Sequence, residues 1–434
     1  MAGRTRGGRD GRDRGDGLIF AGASAERRDA VEHGGRTCAT IPAMIGRTLD
    51  HRTMRACVLH DARRLDVREV PRPDPGPRDV LLRVSAVGLC GTDFHIVGGE
   101  ANYNTDHHGR PVPLPRHPQI LGHEIAGVVE ATGAEVQDLR EGDRVAIDQG
   151  LNCLSRRRDR LCEYCAAGDS HQCESYGEHG ITGLPGGLAE YIAVPAVNAV
   201  RVESDLDPVE AALTEPLGCI VHSTDALARA AGARYTLGAA ETERRARSVL
   251  IFGAGPAGLL FAQYLRKVSG FDGPLYVSEP NAKKRALAAD LGAEVIDPGE
   301  ADLVAVVAEK TKGRRVELVI DASGAGRVFA LIPGVLRKQG TVLLYGHGHG
   351  GTDLSVLNSV QFLEPTLVSP VGASGGFEAD GRPSTYVRAL RFIERGTVNV
   401  ASFITHRYPS LESVPHALTA DWQSADYVKG VVSL

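Results

Sequence analysis

The sequence predicts an α/β protein of two lobes, one a mostly antiparallel β domain and the other a doubly wound parallel sheet. Three observations carry this expectation. In residues 54–218, short runs rich in Val, Ile and Ala lie between Gly and Pro, as at 80–87, 124–129 and 189–194; branched apolar residues favour strands and Gly and Pro favour the turns between them. After Ser248 apolar strands alternate with helical stretches, the pattern of a parallel sheet with crossover helices. Glycine supplies 52 of 434 residues, above the usual share of about 7%, as expected where backbone turns sharply or approaches a ligand closely.

The predicted strands of the parallel sheet are 249–252, 275–278, 294–296, 318–320, 341–345 and 366–369, with helices expected at 257–268, 282–291 and 303–310. A last segment, 373–434, contains a helix from Ser384 and then mixed structure, so it is expected to rejoin the first lobe. The resulting division is a tail over 1–53, a catalytic lobe over 54–218, a nucleotide lobe over 219–372 and the returning segment.

Composition excludes several classes. With 42% hydrophobic and 24% charged residues, the chain is neither wholly disordered nor fibrous. Lys and Arg total 49 against 54 Asp and Glu, a net charge of −5, so no global field draws the protein to nucleic acid or an anionic membrane. A small-molecule partner is expected instead. The uncharged stretch 248–265 has the length of a membrane span, but Gly253, Gly255, Pro256 and Gly258 divide it into strand, loop and helix. At the N-terminus, residues 1–17 hold five Arg, three Asp and six Gly, which cannot bury enough apolar surface to fold. Residues 18–25 form too short an apolar run, behind too many acids, for a signal peptide, and Met44 and Met54 are alternative starts.

Of the eight cysteines, Cys153, Cys162, Cys165 and Cys173 fall within 21 residues. Such a cluster in a long chain without an export signal points to a metal rather than to disulfides, and to a reducing, cytoplasmic setting.

Gly253-Ala-Gly255-Pro256-Ala257-Gly258 follows a predicted strand and opens a predicted helix. The first glycine permits the tight turn, the second lets backbone approach a pyrophosphate, and the third allows close packing of helix on strand. Glu279 ends the next strand, 21 residues after Gly258, where a carboxylate accepts from the adenosine ribose hydroxyls. Strand, loop, helix and acid together predict a Rossmann dinucleotide site for NAD. The glycine-rich run 346–351 is either a second close approach to the cofactor or a surface loop, and His347 and His349 receive no role.

Cys90-Gly-Thr92-Asp93-Phe-His95 closes a strand-like run, and Gly122-His123-Glu124 follows, with His123 33 residues after Cys90. Together with the downstream dinucleotide loop, these motifs resemble those of the zinc-dependent medium-chain alcohol and polyol dehydrogenases, from Met54 to the C-terminus. The resemblance implies a GroES-like catalytic domain, a catalytic zinc on Cys90 and His123 with Glu124 and Glu215 as the carboxylates near it, and a homo-oligomer, dimer or tetramer. It also implies a proton relay through Thr92 and His95. An open zinc site lets a bound alcohol lose its proton near neutral pH, and the nicotinamide accepts hydride.

The four clustered cysteines resemble that family's structural zinc lobe, with one departure: eight residues, Arg156, Arg157 and Arg158 among them, separate Cys153 from Cys162, where two are usual. Loop closure entropy grows slowly with length, so Cys153 can still return to the metal; the alternative is a metal-free lobe. Segment 222–248 also looks longer than its family counterpart and receives no function.

The resulting expectation is oxidation of a secondary alcohol of a polyol or sugar-like compound with NAD. A threonine-type amino alcohol is the alternative substrate, and a zinc-free reductase or binding relative is the alternative class. Thr214-Glu215-Pro216 stands where classical alcohol dehydrogenases carry a cysteine ligand, which suits a polar pocket. Asn102, Asn104, Asp106, His107 and His108, in the loop 98–118, either bond substrate hydroxyls or lie in solvent.

Overall fold

The computed structural model describes residues 53–434 apart from 349, 352 and 354. Residues 1–52 of the expected tail, Cys38 and Met44 among them, and His349 therefore lie outside the described residues, whereas Thr53 opens the first strand.

The first lobe is built from β1 (Thr53–Asp61), β2 (Arg64–Pro71), β3 (Asp79–Leu89), β4 (Gln119–Ile120), β5 (Glu124–Thr132), β6 (Arg144–Ile147), β7 (Gly150–Leu151), β8 (Gly177–Glu178), β9 (Tyr191–Pro195) and β10 (Ala199–Arg201). The expected run 80–87 lies inside β3 and 124–129 inside β5. The run 189–194 becomes β9 two residues late, because Ala189 makes only an isolated bridge to Ala56. Strand β3 is buried along most of its length, with Val80, Leu81, Leu82, Val84, Ala86, Val87 and Leu89 all in the core. It pairs antiparallel with both β5 and β9.

The second lobe holds β11 (Val249–Phe252), β12 (Leu275–Ser278), β13 (Glu294–Ile296), β14 (Val316–Asp321), β15 (Leu336–Leu344) and β16 (Thr366–Val368), all parallel, in the order β13-β12-β11-β14-β15-β16. This is the doubly wound order, in which the strand sequence reverses between β11 and β14 and opens a crevice at their carboxyl ends. The predicted helices form as Pro256–Lys267, Ala282–Asp290 and Leu303–Lys310. Asn281 caps the second by accepting from Lys284 N, and Asp302 caps the third by accepting from Val304 N and Ala305 N.

Two helices lock the lobes together. The helix Thr214–Arg229 runs across residue 218, and its Leu217, Ile220 and Val221 share one core with Tyr386, Ala389, Leu390 and Ile393 of the helix Ser384–Glu394. At Gly218 a Cβ would lie 3.0 Å from Ala373 Cβ, in the segment ahead of the second helix, and in ordinary contact, at 3.7 Å, with the Tyr386 ring. The chain then ends in β17 (Ile404–Tyr408) and β18 (Lys429–Ser433), and β18 pairs with β3 so that Gly430 faces Leu89. The resulting seven-stranded sheet runs β10-β6-β5-β3-β18-β17, with β9 also on β3.

The long segment before β11 is irregular after Arg229 and is tied by Thr236 N to Arg244 O at 2.9 Å and Ala246 N to Thr236 O at 3.0 Å. Glu317 fixes where it joins the sheet, accepting from Arg247 N, Ser248 N and Ser248 Oγ. No helix among the described residues is long and apolar enough to cross a membrane.

Candidate active site and metal centres

Strand β3 delivers Cys90 to the N-cap of the helix Gly91–Gly98, and β5 begins with Glu124 directly after His123. The ligand atoms of Cys90, His123 and Glu124 lie within 4.8 Å of one another. Register makes this possible: Gly88 faces Glu124 across the sheet, and a side chain at Gly88 would place its Cβ 1.8 Å from Glu124 Oε2.

Asp93, fully buried, ties the two motifs together by accepting from Cys90 N at 2.9 Å and from Gly122 N at 3.3 Å, with its Oδ1 3.6 Å from His123 Nδ1. Gly122 takes φ +89 in the approach to His123, a conformation that favours glycine. The donor set fits a zinc ion. Sulfur, nitrogen and oxygen converge, and the buried Glu124 Oε2 has no hydrogen-bond partner. Burial works against charge on His123, yet Asp93 and Cys90 favour it and raise its pKa well above the usual range.

Glu215 does not join the 4.8 Å grouping of Cys90, His123 and Glu124; it lies in the first turn of the helix Thr214–Arg229, near enough to His123 and Glu124 to feel their charges. Its Oε1 accepts from Gln149 Nε2 at 3.1 Å and from Cys219 Sγ at 3.2 Å. Burial first, and the neighbouring Glu124 carboxylate next, push its pKa up to about 7 against the opposing pull of His123. The motif residues Thr92 and His95 run from the metal cluster toward solvent. Thr92 Oγ1 is 3.8 Å from Cys90 Sγ, and the partly exposed His95 is bonded through Nδ1 to Glu100 Oε2 at 2.6 Å. A Cβ at Gly348 would lie 3.9 Å from the His95 ring, so Gly348 approaches this rim.

Three residues that sequence reasoning did not assign complete the surroundings: Asp93, Gln149 and Lys429. Lys429, buried on β18, donates to Glu124 Oε1 at 2.6 Å and to Leu89 O at 2.8 Å. The available signal was a lysine within the apolar run Tyr427-Val428-Lys429-Gly430-Val431-Val432, since a charge inside a buried strand requires a partner. Gln149 carried no such signal.

The loop 98–118 does not gather its polar side chains at the metal motif. Asn102 bonds Val112 O, Asn104 bonds His117, and Asp106 accepts from His108 N, Arg110 N and Arg110 Nε, while His107 and His108 pack on each other. Short polar side chains satisfied the backbone of their own turn first.

At the dinucleotide loop Gly253 takes φ +91, and a Cβ on Gly258 would lie 2.0 Å from Gly253 O, whereas one on Gly255 would meet open space. These are the turn, packing and approach roles expected of the three glycines. Pro256 and Ala257 open the helix, and Glu279, 7% exposed, accepts from Ala254 N and Asn281 N, both at 2.8 Å. Of the nearby cations, Lys283 donates to Asp426 O, and Arg285 to Glu279 O, Pro280 O and Asp297.

The ligand atoms of Cys153, Cys162, Cys165 and Cys173 also lie within 4.8 Å of one another. The inserted loop curls back rather than extending: Asn152 Oδ1 accepts from Leu154 N and Ser155 N, and Arg158 N donates to Cys153 O at 2.9 Å. Backbone N–H groups of Cys165 and Glu174 bring the Cys162 thiol down to about 6, while burial raises Cys165 and Cys173. Four sulfurs so placed suit a closed, structural zinc.

Fold and site together define a zinc- and nucleotide-dependent dehydrogenase. The alcohol dehydrogenase GroES-like domain matches residues 76–204 and the zinc-binding dehydrogenase domain matches residues 256–395. The chain belongs to the zinc-dependent medium-chain alcohol and polyol dehydrogenase family. It is 32% identical to the L-threonine 3-dehydrogenase of Pyrococcus furiosus over 350 residues, covering 80% of this chain and 89% of that protein. It is 28% identical to the L-galactonate-5-dehydrogenase of Escherichia coli K12 over 357 residues, covering 82% and 92%. Among solved structures, a Sinorhizobium meliloti 1021 protein bound to NADP aligns with a TM-score of 0.70 at 28% identity, covering 88% of this chain and 100% of that one. The Thermus sp. ATN1 alcohol dehydrogenase aligns at 0.67 and 25% identity, covering 88% and 99%.

Proposed function

We propose that this protein oxidises a secondary alcohol of a polyol or sugar-like substrate, with NAD as hydride acceptor and a zinc ion held by Cys90, His123 and the carboxylates Glu124 and Glu215. The observation that carries the substrate class is the polar wall beside the metal cluster. Gln149 links Glu215 to Glu178, and Glu124 is paired with Lys429. Such a wall is costly to bury against an alkyl chain and well suited to several hydroxyls.

A zinc ion there supplies Lewis acidity that acidifies a hydroxyl, and the dinucleotide supplies the acceptor for hydride. The chain's own residues do the rest. Thr92, beside Cys90, accepts the hydroxyl proton as it passes its own hydroxyl proton on, and His95, oriented by Glu100, delivers a proton to solvent at the exposed rim. Glu279 and the open face at Gly255 hold the ribose and pyrophosphate.

A second reading, oxidation of an amino alcohol, is favoured by the similarity to threonine dehydrogenases; the same acidic wall would hold an ammonium group. An NAD-reduction screen over polyols, sugars, inositols, L-threonine and simple alcohols separates them. A site built for hydroxyls rejects an analogue lacking them by about 10⁴-fold, so a polyol is expected to exceed a chain-matched simple alcohol by that order. L-threonine as best substrate selects the second reading, and aliphatic or benzylic alcohols as best substrates overturn both. The reading also takes the protein as a cytoplasmic homo-oligomer, dimer or tetramer, supported by the thiol cluster and by the family respectively. Light scattering on the purified protein measures its assembly.

A further inference from the structure

We infer that Tyr386 and Gln149 form a positioning pair that sets Glu215 for the metal, an assignment that rests on the function just proposed. Gln149 is buried at 1% exposure between β6 and β7. Its backbone is clamped: Asn198 Nδ2 donates to Asp148 O at 2.8 Å and Gly150 O at 2.7 Å, and His179 N donates to Gln149 O at 3.0 Å. Only the side-chain amide keeps freedom.

That amide has two unlike ends. Its NH₂ donates to Glu215 Oε1 at 3.1 Å and to Glu178 Oε1 at 3.2 Å, while its oxygen accepts from the Tyr386 hydroxyl. Turned over, the amide would set its oxygen against two carboxylates and its NH₂ against a hydroxyl. Tyr386 Oη–H supplies the donor that holds the productive orientation.

The hydroxyl arrives from the far end of the chain. Tyr386 is fully buried on the helix Ser384–Glu394, which packs on the helix Thr214–Arg229 that carries Glu215, and the ring lies 3.7 Å from the Cβ position of Gly218. Glu215's other partner, Cys219, sits one turn along its own helix and moves with it. Gln149 is therefore the external contact that fixes the carboxylate, occupying one oxygen and leaving the other for a cation. Groups that orient a metal ligand from outside typically change affinity or activity by about 10–100-fold when removed.

The test uses the full-length zinc-loaded protein. Tyr386→Phe deletes the hydroxyl and keeps the ring, and Gln149→Leu deletes the amide. Zinc affinity is measured by competition with a chromogenic chelator, alongside kcat and KM and the visible spectrum after cobalt exchange. In both variants one of two zinc ions is expected to bind about 10–100-fold more weakly, with a changed cobalt spectrum, a lower kcat and an unchanged KM for NAD. The other zinc ion keeps its affinity. The double variant should be no worse than Gln149→Leu, because Tyr386 acts through the amide. Unchanged zinc affinity in both single variants, or additive losses in the double, overturns the inference. Cys90→Ser is the control: if it retains both zinc ions, the proposed function fails, whereas loss of one ion there with none in Tyr386→Phe defeats this inference alone.

Discussion

Lys429 Nζ lies 2.6 Å from Glu124 Oε1, joining two side chains that are 3% and 1% exposed and 305 residues apart in sequence. Burial disfavours the ammonium, but the carboxylate of Glu124 and the thiol of Cys90 more than compensate and raise its pKa. The pair ties the last strand of the chain to the metal motif. Removing one partner of a buried pair leaves an uncompensated charge, at a cost of about 3 kcal/mol. Lys429→Met is expected to lower the thermal midpoint and to reduce kcat by at least about tenfold. An unchanged midpoint in a calorimetric scan would show that Glu124 does not need its partner.

Cys90→Ser and His123→Ala are expected to lower kcat by at least about 10³-fold, since a Lewis acid contributes several kcal/mol to such a step. Dinucleotide binding should persist, because the phosphate loop lies on the other sheet. Fluorescence titration with NADH and steady-state rates check both halves; full turnover in a metal-stripped Cys90→Ser protein would falsify the ligand assignment.

Preference for NAD over NADP follows from Glu279, which would meet a 2′-phosphate with like charge. Of Lys283, Lys284 and Arg285, the cations that could offset it, Lys283 and Arg285 are already bonded to Asp426 O and to Asp297. Like-charge juxtaposition costs several kcal/mol, so kcat/KM with NAD is expected to exceed that with NADP by on the order of 100-fold. Equal efficiencies would remove this role from Glu279.

The four-cysteine lobe predicts a second zinc ion per chain and a pH dependence of known sign. Cys162 has its pKa lowered from 9.0 to about 6. Its contribution to the stability of the zinc-stripped protein is fully present above about pH 9 and is lost as pH falls through about 6. Thermal midpoints of stripped, reduced protein should therefore rise between these values, and Cys162→Ala should abolish that rise. Metal analysis of the intact protein should approach two zinc ions; one ion at full activity, indifferent to Cys153, would show that the inserted loop has dismantled the lobe.

Local physics wrote much of this protein into its sequence. Glycine spacing fixed the phosphate turn because only a residue without Cβ fits at Gly258, and the alternation of apolar strands with capped helices after Ser248 required a parallel sheet. The groupings of Cys90, His123 and Glu124, and of the four clustered cysteines, were legible because metal chemistry restricts residue type and spacing. Tertiary structure alone decided what stands behind those ligands. Lys429 reaches Glu124 only because β18 pairs with β3, and Tyr386 reaches Gln149 only because two distant helices pack at Gly218. Conversely, the sequence left Asn102, Asn104 and Asp106 open between substrate and solvent, and the folded loop engages each of them in hydrogen bonds of its own. A buried polar atom is satisfied by whatever chain folding brings within about 3 Å, and sequence separation places no bound on where that partner lies.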